Sequence, residues 1–241
     1  MSLRRDAVRG LLQRVRDLMR LLLAGRARKV WRAVTQRLYS KAGSIGLRRD
    51  LAVPFAAPAA RVPIQVRPLA PGDDLSFLDV EQPGLTDDQV FDRLGQVRIL
   101  QSSIPTCWLA IGPDGKPCYM QWLIRSGENE RVQAFFGNLY PRLAPDEALL
   151  EGAYTPEAYR GQGIMASAMA QIAARAADGG VRWVITFVDE ANTPSLKGCE
   201  RAGFAPYLRR VELYRLFRRV VAFLPLIEAA AAASGLTSLG G

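Results

Sequence analysis

The chain runs to 241 residues, 49% apolar and 23% charged, with mean hydropathy +0.01, which suits one large folded domain or one domain with an appendage and excludes disorder throughout. It contains no histidine, and that removes the usual neutral-pH base, the Ser-His-Asp and Cys-His nucleophile systems and imidazole metal sites. The formal charge of +9 is unevenly placed: residues 1–50 carry 14 basic and three acidic side chains and the rest 18 and 20, so the excess lies in the first fifth.

In that first fifth Val8, Leu11, Leu12, Val15, Leu18, Met19 and Leu22 recur at three- and four-residue spacing, with Arg9, Arg14, Arg16 and Arg20 between them. A second set, Val30, Trp31, Val34 and Leu38, carries the same period to about residue 40. The pattern predicts a basic amphipathic helix, and residues 1–50 read as a basic helical extension. Such a helix packs on its own domain or, through residues 1–40, lies on an anionic membrane surface or a protein partner. No apolar run reaches the roughly 18 residues that span a bilayer. The expected place is the cytoplasm, peripheral at the inner face of a membrane. Cys107, Cys118 and Cys199 lie far apart with no Cys-x-x-Cys pair, which argues against a zinc ribbon or a disulfide framework. No metal site is expected.

Pro54, Pro58, Pro63, Pro68 and Pro71 follow, with several alanines, so residues 51–60 read as a stiff linker and residues 61–219 as the folded domain. Within it the patterns predict a strand at 64–68 and helices near 73–80 and 86–95. A hairpin of 108–111 and 118–124 closes through Gly112-Pro113-Asp114-Gly115. A short strand at 132–136, a strand at 148–154, a helix from Gly163 to about 179 and a strand at 183–188 come next. The helix opened by Asn192 and Pro194 ends at Gly203, and residues 207–217 supply one or two last strands before an apolar, Ala-rich tail at 220–241. The order is that of an α/β (α+β) domain.

The most informative segment is the loop from Tyr154 to Ala166, which holds Arg160, Gly161, Gln162, Gly163, Ile164 and Met165 between a strand and a helix. Glycines let the backbone approach a ligand, the helix N-terminus adds about half a positive charge and Arg160 a full one, a combination that cradles a pyrophosphate. Gly161-x-Gly163-x-x-Ala166 also fits the dinucleotide fingerprint. That fingerprint, however, wants its glycines directly after the strand, and six residues intervene here.

The same loop resembles the acetyl-CoA loop of the GNAT acetyltransferases, Arg/Gln-x-x-Gly-x-Gly/Ala, with Met165 in place of the last small residue. Asn192-x-x-Ser195 followed by Gly203-Phe204 is similar to a second segment of that family, and Ile64-Gln65-Val66-Arg67-Pro68-Leu69 with Asp73-Asp74 to its first strand and helix. The resemblance implies a mixed, splayed sheet of about six to seven strands flanked by helices, here with the extra N-terminal basic helical segment. It implies acetyl-CoA, or another acyl-CoA, as co-substrate. Main-chain groups of Ala153 and Tyr154 would bind the pantetheine arm, the N–H groups of residues 161–165 with Arg160 the pyrophosphate, and Asn192 and Ser195 would complete the cofactor set.

The chemistry so implied is direct attack of an acceptor amine, on a small molecule or peptide, on the thioester, with a base for the ammonium and an acid for the thiolate. Period-two alternation puts Glu147 and Glu151 on one face of their strand, and both are candidate bases. Where many members of the family hold a proton-donating tyrosine, seven residues after the asparagine, this chain has Cys199. Cys199 is therefore a candidate donor or a small buried side chain, and Tyr154, Tyr207 and water stand as other donors. Two readings remain open: an acyl-CoA-dependent N-acyltransferase, or a weak or inactive CoA-binding assembly module docked by its N-terminal helix. The near-neutral domain argues against a nucleic-acid substrate; a homodimer is left open.

Overall fold

A computed structural model describes residues 31, 35, 37–102 and 104–226. In chain order they form β1 (Tyr39–Asp50), β2 (Gln65–Pro68), α1 (Asp87–Leu100), β3 (Cys107–Ile111), β4 (Pro117–Arg125) and α2 (Asn129–Phe136). Then come β5 (Glu147–Tyr154), α3 (Ile164–Ala174), β6 (Trp183–Asp189), α4 (Thr193–Arg201), β7 (Ala205–Arg215) and β8 (Arg218–Pro225). The described strands make one sheet in the order β2-β3-β4-β5-β6-β1-β7-β8. Every neighbouring pair is antiparallel except β5–β6.

Alternation splits the core between the two faces of this sheet. Leu47, Ala148, Leu150 and Val184 pack with Met169, Ile172 and Cys199 of α3 and α4 on one face. Leu109, Met120, Trp122, Leu149 and Ile185 pack with Ile99 and Val132 of α1 and α2 on the other. Strand β4 is buried at every position but its last, and it is apolar on both faces apart from Gln121, whose Oε1 accepts from the Tyr119 hydroxyl at 2.8 Å.

Three expectations are corrected. Residues 39–50 are not the end of a helical extension but β1, which lies between β6 and β7 and pairs with both. That makes eight strands where six to seven were expected. Its glycines and scattered charges give it poor strand propensity, and the pairing on both sides supplies what propensity lacks. A Cβ on Gly46 would come within 2.6 Å of Leu208 Cδ1 and 3.1 Å of the Phe187 ring, so a larger residue there would force those side chains to shift. Second, residues 132–136 belong to helix α2: Val132 turns into the core, and the Asn129 side chain exchanges hydrogen bonds with the Leu143 main chain at 2.8 and 2.9 Å. Third, residues 220–225 are the body of β8 and not a tail.

The stretch at 51–60 has no regular structure, as its prolines predict, but it does not separate two domains. The Arg49 guanidinium sits 4.5 Å above the Phe55 ring and donates to the Ala170 carbonyl at 3.1 Å, and the Arg61 N–H bonds the Gln162 carbonyl at 2.8 Å. Most of the predicted helix at 7–40 lies outside the described residues; residues 31, 35, 37 and 38 are helical. No helix among the described residues is long and apolar enough to cross a membrane.

Candidate active site at the β5–β6 fork

Parallel pairing of β5 with β6 stops at Leu149 and Ile185, although β5 continues to Tyr154 and β6 to Asp189. Beyond that point each strand keeps only its outer partner, β4 and β1 respectively, and the inner edges part. A bulge in β5 accompanies the parting: Tyr154 faces Met120 and Glu151 faces Trp122, so Gly152 and Ala153 together oppose one residue of β4. Gly152 sits at φ +68°, and a Cβ there would meet the Trp122 ring at 2.7 Å. Gly152→Ala should therefore cost about 2–4 kcal/mol of stability, from backbone strain and overpacking together. Denaturant unfolding checks this, and an unchanged midpoint would show that the bulge tolerates a side chain.

The loop after β5 returns the chain to the mouth of this fork. Gly161 and Gly163 both take left-handed φ, +76° and +75°. Among the described residues, the N–H groups of Gly161, Gly163, Ile164 and Met165 have no protein acceptor. The first turn of α3 thus presents several amides and the positive end of the helix dipole, while its side chains are largely buried. Ile164 anchors that turn in the core. Met165 directs its side chain onto α4, where a Cβ on Gly198 would come within 2.9 Å of its sulfur. Its bulk is taken up by helix packing. Arg160 is half exposed and held by the Thr155 carbonyl at 3.0 Å and Glu157 at 3.2 Å. Asn192 caps α4 by accepting from the Ser195 N–H at 3.2 Å, so this pair also marks a helix start just beyond the end of β6.

Glu151 lies at the bulge on the α1–α2 side of the sheet. Burial pushes its carboxyl pKa up, against hydrogen bonds from the Tyr140 hydroxyl and the Gly152 N–H and the attraction of Arg210. Arg210 is buried, donates to Ser44 Oγ at 2.9 Å and lies over the Tyr140 and Phe187 rings at 5.4 and 5.0 Å. Burial holds Tyr140 as a neutral phenol, raising its pKa well above the ordinary value. Sequence reasoning missed both partners: Tyr140 stands in an irregular stretch and Arg210 in a strand, and only the sheet brings them to Glu151.

The other catalytic expectations separate. Glu147 shares the face of Glu151 but lies at the closed end of the pair, about 13 Å along the strand, where its Oε2 accepts from the Ala144 N–H at 2.9 Å. Tyr207 is at that closed end too, beside Arg48 and Trp183. Cys199 is 1% exposed in the core, its sulfur 3.8 Å from that of Met169, and burial pushes its thiol up to about 12. The small-side-chain alternative describes it, and the donor expectation is corrected. Buried polar atoms around the bulge without a hydrogen-bond partner include Tyr154 Oη, whose ring stacks on Phe77, Gln96 Oε1 of α1, and Nε2 of Gln121, the β4 residue that the bulge opposes. Trp122 lies under the bulge.

A mixed sheet with one forked parallel pair opens beside a helix start whose free amides and dipole suit an anionic group. Residues 105–204 match the model of the acetyltransferase (GNAT) family. Among solved structures it is similar to a GCN5-related N-acetyltransferase from Sphaerobacter thermophilus, with 18% identity, a TM-score of 0.48 and coverage of 78% of this chain and 56% of that one. It is likewise similar to a GNAT-family acetyltransferase from Colwellia psychrerythraea, with 13% identity, a TM-score of 0.43 and coverage of 77% and 61%. The chain thus spans somewhat more than half the length of these proteins. No curated protein matches it.

Proposed function

We propose that the protein moves an acyl group, acetyl in the simplest case, from acyl-CoA to an acceptor amine, and the observation that carries this reading is the β5–β6 fork ending at Leu149 and Ile185. Main-chain groups of Ala153 and Tyr154 would hold the pantetheine arm, and the free N–H groups at 161–165 with Arg160 the pyrophosphate; the unpaired amides and the exposed loop fit that ligand. The ligand supplies an activated thioester carbonyl. Glu151 takes the proton from the acceptor ammonium, directly or through water, and its raised pKa suits it to that task near neutral pH. Tyr154 Oη, buried and unpartnered beside the bulge, replaces Cys199 as the donor to the departing thiolate. Gln96 Oε1 offers an acceptor for an N–H of the incoming amine.

Isothermal titration with CoA and acetyl-CoA tests the reading. Arg160→Ala is expected to weaken binding about tenfold, the loss of one charge-assisted phosphate contact. No heat on titration of the unaltered protein would sink the proposal. The burial of Cys199 favours a second reading, a CoA-binding or assembly module with little turnover, docked to a membrane or protein partner. Sustained release of free thiol that depends on an added amine would rule that out.

A further inference from the structure

The β7–β8 turn has features that acyl transfer does not use. Its two central residues are Leu216 and Phe217, at φ +46° and +64°. A two-residue hairpin turn with both residues left-handed selects Asn-Gly, because a Cβ is disfavoured there. This chain instead spends strained positions on two large apolar side chains, and leaves them 78% and 60% exposed. Tyr39, at the start of β1, is 73% exposed beside them, and the Leu216 and Phe217 N–H groups bond the Leu38 and Arg37 carbonyls at 2.9 and 2.8 Å. The tip is thus a fixed part of the sheet and not a loose loop.

Its position and charge are equally specific. Strand β6 leaves β1 at Ser44–Asp189, whereas β1 and β7 stay paired up to Tyr39–Arg215, so the ribbon projects about 17 Å further. It projects from the end of the sheet at which the β5–β6 fork opens. Arg37, Arg215 and Arg218 flank the apolar tip, Lys41 lies two residues further along β1 beside Glu190, and there is no acidic residue from 18 to 49 or from 213 to 227.

We propose that this tip docks on an anionic phospholipid surface, with Leu216 and Phe217 below the headgroups and the arginines among them. A pointed apolar tip inside a rim of one sign matches that interface, where apolar burial and attraction to anionic lipids add. A second copy fits poorly, since a twofold contact through the tip would bring Arg215 and Arg218 against their own copies. Docked in this way, the molecule turns the open end of the fork toward the bilayer. The inference is independent of the acyl-transfer reading.

Co-sedimentation of the full chain with phosphatidylcholine vesicles, with and without phosphatidylglycerol, tests it. The paired substitution Leu216→Asn and Phe217→Gly installs the preferred turn residues, so the hairpin should persist and the thermal midpoint stay level or rise. Partitioning to the anionic vesicles should fall at least about tenfold as the tip loses its apolar area. Arg215→Glu with Arg218→Glu should remove the preference for anionic over neutral vesicles. Equal partitioning of the unaltered and tip-substituted chains overturns the proposal. So does equal binding to neutral vesicles, or a sedimentation dimer that the tip substitution dissolves, which would give the tip to a second copy.

Discussion

Glu151→Gln is expected to lower kcat by roughly a hundred- to ten-thousand-fold, the range for losing a positioned general base, while leaving the fold intact. The amide keeps the shape of the side chain and can still accept from the Tyr140 hydroxyl, so the surrounding rings and Arg210 retain their packing. The pH dependence sharpens the test. As the proposed base Glu151 would work as the carboxylate, and burial raises its pKa, so the rate should fall as pH drops through a value above the usual carboxylate range. That acid limb should vanish in the variant. Stability moves the other way: a carboxyl whose pKa is raised on folding contributes most below its unfolded pKa, and that contribution is lost as pH rises through the folded value. At neutral pH the neutral amide should therefore be as stable as the carboxylate or more so. A pH–rate profile of kcat/KM and a thermal melt measure both; an unchanged acid limb would move the base elsewhere.

Removing residues 1–50, the cut that the charge distribution invites, should abolish cooperative unfolding altogether. The deletion takes away β1 and with it the ladder partner of β6 on one side and β7 on the other. It also removes buried Leu47 and the Arg49 guanidinium, which donates to the Ala170 carbonyl of α3 and to the Ala202 carbonyl just past α4. Two unpaired interior strand edges and an emptied core position exceed the 5–15 kcal/mol, roughly, by which domains are stable. A chain beginning at Arg37 keeps β1 and should melt cooperatively. Circular dichroism melts of the two truncations distinguish them, and a folded product from the longer deletion would show β1 to be dispensable.

The contrast between the Arg160–Gly163 loop and β1 shows why some of this was legible in the residues. Arg160, Gly161 and Gly163 act within a few positions of one another, and the left-handed conformations at both glycines are demands that a single local segment expresses. The Asn192 cap and the hairpin through Gly112–Gly115 are legible for the same reason. Strand β1 expresses nothing of the kind. Its identity depends on partners more than 130 residues away, and its arginines and glycines read locally as part of the basic segment before it.

The catalytic constellation divides along the same line. Alternation in β5 put Glu147 and Glu151 on one face, and that is correct, but alternation has no means of saying where a parallel pair stops. Only the bulge at Gly152, pressed against Trp122, decides that Glu151 meets the fork while Glu147 closes a turn at the paired end. The residues alone determined the family resemblance, the glycine-rich loop with Arg160 and the absence of any histidine to serve as a base, since each follows from composition or short-range spacing. The tertiary structure decided which glutamate is available, placed Tyr140 and Arg210 around it, sent Cys199 into the core and made residues 39–50 a central strand. These follow from burial and from hydrogen bonds between distant segments, free-energy terms that exist only once the sheet has assembled.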